Sequence, residues 1–126
     1  MDGIAVVVTV YKRYDFVEGA VRSVIPQLSP NDEIIVVADS PESLSFAEKR
    51  VKTVKCDSLY LGECIIRGVQ ESSKDLIFFL EDDDEFREGK IGKVREVMGT
   101  TGLQYVHNLQ YYIDVSGNEI ARRDRR

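Results

Sequence analysis

Residues 4–8, IAVVV, form an unbroken apolar run rich in β-branched side chains. A run with no polar alternation suits a strand covered on both faces. EIIVVA (33–38) and LIFFL (76–80) have the same character, and RVKTVKC (50–56) is a more modest strand between them. The spacing changes in the intervening segments. Phe16, Val17, Ala20, Val21, Val24 and Ile25 recur at helical intervals and predict a helix limited by Pro26. Asp15 reads as its N-cap, with Glu18 completing a capping box. Ser40–Pro41 reads as the N-cap and first residue of a second helix. GECIIRGVQESS (62–73) places Ile65, Ile66 and Val69 on one helical face. Gly89 to Met98 reads as a helix with Ile91, Val94, Val97 and Met98 turned inward. LQYVHNLQYYIDV (103–115) alternates in part, and SGN (116–118) suits a hairpin turn.

Alternating strands and helices with buried-type strands predict an α/β domain, a single α/β/α sandwich with a mainly parallel sheet. Ligands of such sheets bind beyond the carboxyl ends of the strands. Three polar features fall there: the TVYKR loop after the first strand, Asp39 after the second, and the acidic run EDDDE (81–85) after LIFFL. Residues 1–121 are expected to form the domain, and 122–126 a basic, solvated tail.

The length of 126 residues suits one domain, and 43% hydrophobic content supports a core. The formal net charge is −5, although four arginines crowd into the last five positions. The body is therefore more acidic than the total suggests, which argues against nucleic acid as a partner. The Arg-rich end could touch an anionic membrane surface, but a solvated end is the simpler reading. Cys56 and Cys64 lack metal-ligand spacing and read as ordinary thiols. There is no long apolar span or signal-like N-terminus, so the expected setting is cytoplasmic, with at most peripheral contact to a membrane.

Clustered carboxylates repel one another and need solvent or a cation to stay ionised. An EF-hand loop starting at Asp84 would put Phe86 and Arg95 where oxygen ligands are required, which excludes it. A phosphate-accepting receiver domain would want acids after the first strand and a Lys closing the last, and neither is present. No GxxxxGK[ST] or GxGxxG glycine cradle occurs. A nucleotide diphosphate would then need its charge managed by a divalent cation such as Mg²⁺ or Mn²⁺ on carboxylate oxygens.

VVVTVYKRYDFVEGAVRSVIPQ (6–27), DEIIVVADSPE (32–42) and DLIFFLEDDDEF (75–86) together resemble the N-terminal, nucleotide-binding half of family 2 glycosyltransferases of the GT-A fold. Such enzymes carry a P-T-Y-N-R type loop, a strand ending in V-D-D-G-S and a later strand ending in the DXD region. The resemblance implies that Thr9 and Tyr11 line a nucleobase pocket and that Asp39 accepts a hydrogen bond from the base. It further implies that Asp82 meets the ribose and that Asp83 holds Mn²⁺ or Mg²⁺, with Asp84 as the rival ligand. The implied donor is a UDP-, GDP- or dTDP-linked sugar, transferred with inversion to an acceptor hydroxyl. The sequence departs from the pattern at Ala38 and Glu81, where the family carries Asp, and at Ile65, where it carries Arg. It identifies no catalytic base, although Asp114 and Glu119 are available acids.

Simpler readings accompany each residue. Asp82–Asp84 could be a solvated turn, Asp39 a helix cap and Tyr11 loop packing. Lys12 and Arg13 could be solvated, and His107, Tyr105, Tyr111 and Tyr112 strand residues. Two other functional classes stand beside the transferase: a non-catalytic nucleotide-sugar-binding module lacking an acceptor half, which fits the same features, and a receiver-like signalling domain, which fits the length and the α/β alternation but not those acids after the first strand or that closing Lys. A homodimer covering an open sheet edge is a further expectation.

Overall fold

A computed structural model of the chain describes residues 3–102, 104–107 and 110–123. They fall into two compact units, Met1–Gly92 and Lys93–Arg126.

The first unit is built on a four-stranded sheet in the order β3-β2-β1-β4. Its strands are β1 (Ile4–Val10), β2 (Glu33–Ala38), β3 (Val51–Lys55) and β4 (Leu76–Glu81). All three pairings are parallel. The two central strands, β1 and β2, each carry an unbroken apolar run of β-branched and small residues, and they are buried almost throughout. The edge strand β3 alternates exposed Lys52, Thr53 and Lys55 with half-buried Val51 and Val54.

Helices cover both faces. Helix α1 (Val17–Val24) buries Val17, Ala20, Val21 and Val24. Its Ser23 hydroxyl accepts the backbone N–H of Phe86 at 2.9 Å. The Phe86 ring packs on Phe78 of β4, with centroids 5.8 Å apart. This layer therefore lies on the face that Phe78 shares with Val6 and Ile34. Helix α2 (Leu61–Gln70) packs on the other face, where Cys64 joins Ala5, Val7, Ile35 and Val37.

The helices differ from expectation in three places. Helix α1 starts one residue late: Phe16 holds the N-cap position and no side chain caps it, so Asp15 and Glu18 form no capping box. The segment after Ser40–Pro41 is a single 3₁₀ turn, Pro41–Ser43, rather than a helix. Its sequence, PESLSFAEKR, offers no apolar stripe to hold a longer helix on the sheet. In α2 the inward residues are Cys64 and Gly68, while Ile66 and Val69 are exposed and Ile65 is half-buried. A Cβ on Gly68 would lie 2.5 Å from Cγ1 of Val7 and 2.9 Å from Cγ2 of Val37. Close approach of helix to sheet needs the smallest residue, and that requirement sets the inward face.

Helix α3 (Lys90–Thr101) begins in the first unit, where Ile91 is buried. Its N-terminus is tied down by Gln27, whose Oε1 accepts the Ile91 N–H at 3.0 Å. Val94, Val97 and Met98 are half-buried. In the second unit β5 (Gln110–Ile113) pairs antiparallel with β6 (Glu119–Arg123). The expected hairpin forms, with Asp114 accepting the N–H groups of Ser116 and Asn118 at 2.9 and 3.0 Å. Residues 103, 108 and 109 of the expected long strand lie outside the described residues. So do residues 124–126 of the basic tail, whereas the backbone of Arg122 and Arg123 belongs to β6. No helix among the described residues is long and apolar enough to cross a membrane.

Candidate functional site

Parallel registry brings the exits of β1, β2 and β4 to one edge. Val10 lies opposite Ala38, and Thr9 lies opposite both Val37 and Glu81. The chain leaving β4 stays tied to β1, because Asp82 N–H donates to the Thr9 carbonyl at 3.1 Å. A turn follows, closed by Asp84 N–H to the Glu81 carbonyl at 3.1 Å. This turn gathers carboxylate oxygens of Glu81, Asp83 and Asp84 within 4.8 Å of one another, all three residues exposed. The sequence reading placed Asp83 and Asp84 in such a cluster; Glu81, read there only as a departure from a motif, joins them.

The electrostatics fit a crowded anionic turn. Burial, then the Asp83 charge, pushes the carboxyl of Asp82 above its ordinary range. Burial, then Asp83 and Glu81, does the same to Asp84, against the pull of Lys90. Burial pushes the Lys90 ammonium down, while Asp84 pulls it up. That ammonium lies 4.5 Å from the centroid of the Phe86 ring.

The loop after β1 reaches across to this turn. Lys12 has φ +61°, and Arg13 N–H donates back to the Tyr11 carbonyl at 2.7 Å. This γ-turn reverses the chain over three residues. It sends the Arg13 side chain to Asp83, with Nη2 3.1 Å from Oδ2 and a longer approach of 3.9 Å to Asp82. Arg13, read from sequence as solvated, is thus a bridge between two strand exits. The exposed Tyr11 ring carries the Lys12 ammonium 5.2 Å from its centroid.

Asp39 is fastened to the same loop. Its Oδ1 accepts the Lys12 N–H at 3.0 Å and the Tyr14 hydroxyl at 2.6 Å. Tyr14 Oη in turn accepts the Ser40 N–H at 2.8 Å. Burial would raise the Asp39 carboxyl, but the hydrogen bonds from Tyr14 and Lys12 outweigh it and hold it below the usual range. Burial and the Asp39 contact raise the Tyr14 phenol. Sequence reasoning missed Tyr14, which is 25 positions from its partner in sequence; only their shared place at strand exits hinted at contact.

The sequence matches the family model for glycosyl transferase family 2 over residues 5–126. This chain belongs to glycosyl transferase family 2. Among solved structures, this family 2 chain is similar to S. aureus TarS 1–349, with a TM-score of 0.62 and 13% identity over 76% of this chain and 32% of that one. It is similar to a second structure of S. aureus TarS at the same TM-score, with 14% identity over 76% of this chain and 19% of that one. The chain thus spans about a third or less of these two solved chains. A search of curated proteins found no match. The parallel sheet with flanking helices is of the GT-A type.

Asp114 and Glu119, the two acids the sequence offered as candidate bases, lie in the second unit of this family 2 chain. The Asp114 carboxylate is committed to its hairpin turn, and hydrogen bonds led by that from Asn118 N–H hold its carboxyl below the ordinary range. His107 is exposed and stacks on Tyr105, with ring centroids 6.5 Å apart.

Proposed function

We propose that this chain binds a nucleotide diphosphate sugar through a divalent cation and serves transfer of the sugar to an acceptor hydroxyl with inversion. The observation that carries the reading is the shared edge at which the Tyr11 loop, Asp39 and the acidic turn meet. Thr9 and Tyr11 line the base side, Asp39 accepts a hydrogen bond from the base, and Asp82 faces the ribose.

The donor set suits Mn²⁺ or Mg²⁺, since Glu81, Asp83 and Asp84 offer only hard carboxylate oxygens. Asp83 is the leading ligand, and Asp84 and Glu81 complete the set. When bound, such an ion supplies Lewis-acid stabilisation of charge on a departing diphosphate. Arg13 now pairs with Asp83. Ligation of Asp83 frees its guanidinium for a phosphate oxygen, which a planar donor fork suits well. Asp114, held by its turn, is a poor general base. We place the protein in the cytoplasm, with at most peripheral contact to a membrane.

A non-catalytic binding module would share every one of these contacts. Calorimetric titration with UDP, GDP and dTDP, with and without Mn²⁺, followed by measurement of nucleotide release from the matching sugar nucleotides, separates the two. Binding with turnover supports the transferase, and binding without turnover the module. Failure of all three nucleotides to bind with Mn²⁺ would reject both. Asp83→Ala is expected to abolish the Mn²⁺-dependent part of binding while leaving the fold intact. Retained Mn²⁺-dependent affinity in that variant would overturn the ligand assignment.

A further inference from the structure

We propose that Cys56 and Cys64 form a redox-modification site: a low-molecular-weight disulfide of the glutathione class oxidises them to a reversible disulfide that clamps α2 to the end of β3. The two thiols come from different elements. Cys56 directly follows β3, and its N–H extends the ladder to the Ala38 carbonyl at 2.9 Å. Cys64 lies in the first turn of α2 and belongs to the core cluster against which Cys56 packs. Their sulfurs are 3.1 Å apart, so a covalent bond needs a further approach of only about 1 Å. The connecting segment is already folded for it. Ser58 Oγ accepts the Tyr60 N–H at 3.0 Å and donates to the Glu63 carboxylate. The Tyr60 carbonyl then accepts the N–H groups of Glu63 and Cys64 at 3.1 and 3.4 Å. Among the described residues no third His, Cys, Asp or Glu joins the two sulfurs closely enough to make a metal site. Neither thiol has a part in the transfer chemistry proposed above.

The surroundings divide the roles. Cys64 is buried, whereas Cys56 is only half-buried and is the thiol a small disulfide reaches. Burial, then contact with Cys56, pushes the Cys64 thiol up to about 11. Cys56 therefore takes the first step. Its thiolate attacks one sulfur of the small disulfide, forming a mixed disulfide at Cys56 and releasing one small thiolate, which takes up a proton. Cys64 then loses its proton to solvent and attacks the Cys56 sulfur. The protein disulfide forms, the mixed disulfide breaks, and the second small thiol leaves. In sum, two protein thiols are oxidised to one disulfide, and one small disulfide is reduced to two thiols. Capping Cys56 also removes the thiol contact that helps to raise Cys64, which eases the second step. Excess small thiol runs both steps backwards, as suits a cytosolic pair that serves transiently rather than as a permanent staple.

The test treats the folded full chain with oxidised glutathione, traps remaining thiols with iodoacetamide, and reads intact mass and tryptic peptides by mass spectrometry. The wild type should lose the mass of two hydrogens, carry neither glutathione nor alkyl groups, and yield one peptide pair linked through Cys56 and Cys64. Excess reduced glutathione should restore both thiols. Cys64→Ser should stop with one glutathione on Cys56. Cys56→Ser should take glutathione on Cys64 at least about tenfold more slowly, because a buried thiol is a poor nucleophile. Wild-type chains that keep both thiols, that hold glutathione without closing the bond, or that react only in urea would overturn the pair. So would a linkage between two chains in place of one within the chain. Equal rates in the two variants would overturn Cys56 as the point of entry. The clamp has its own readout, which needs neither variant: the oxidised wild type should unfold at a higher urea midpoint than the reduced wild type. An unchanged midpoint would show that the bond does not fasten α2.

Discussion

Lys12 is the one non-glycine residue with positive φ among the described residues. Holding a side chain there costs on the order of 1–3 kcal/mol. What the strain secures is visible: it turns one N–H onto Asp39 and starts Arg13 toward Asp83. Nothing in the letters YKRY announces a γ-turn, so the place of Tyr11 and Asp39 after their strands was legible while the contacts of Tyr14 and Arg13 were not. The Tyr14–Asp39 bond also carries a pH signature. Asp39 has its carboxyl lowered in the folded chain. A lowered carboxyl contributes stability that is present above its unfolded value, near pH 4, and is lost as pH falls through the folded value. The stability gap between wild type and Tyr14→Phe is therefore expected to be constant above about pH 5 and to close below about pH 4. Urea titrations at stepped pH measure it, and the comparison cancels Asp82 and Asp84, whose raised carboxyls run the opposite way. A gap that persists unchanged to pH 3 would show that the bond does not depend on the Asp39 charge.

Among the elements, the strands were legible because burial on both faces leaves a run of apolar residues with no alternative use. The helices were less so. Periodicity alone put Ile65, Ile66 and Val69 of α2 inward, whereas the sheet takes Cys64 and Gly68. The reason is distance: a central parallel sheet lined by Val7 and Val37 lets the helix come close only where no Cβ intervenes. The same logic explains the missing second helix, since a segment without an apolar stripe has nothing to bury. Gly68→Ala tests the close approach. Helix propensity alone favours Ala by about 1 kcal/mol. The added Cβ would sit 2.5 Å from Val7 and force α2 off the sheet. Overpacking of this kind costs about 1–3 kcal/mol, so the variant should unfold at lower urea despite its better propensity. A raised midpoint would mean that α2 does not depend on this contact.

At the scale of the whole molecule, the sheet is asymmetric. β3 closes one edge with exposed Lys52 and Lys55, charges that discourage pairing with another chain. β4 forms the other edge, and its only partner among the described strands is β1. Phe79, on the α2 face of β4, is 53% exposed, in a sheet type that normally has both faces covered. A sheet edge with no partner among the described residues, beside an exposed aromatic ring, is a template for association. We propose this edge as the seat of the expected homodimer, so the chain should self-associate through β4 as its concentration rises. Sedimentation velocity over a hundredfold range of concentration would show the rise in the wild type. Phe79→Lys places a charge on the same strand and should flatten it, leaving the proposed Mn²⁺-dependent nucleotide binding in place, because Phe79 lies inside β4 and the acidic cluster starts only at its last residue, Glu81. A wild type that sediments as a monomer throughout would reject the β4 interface. Association that Phe79→Lys does not weaken would move the contact elsewhere on the surface.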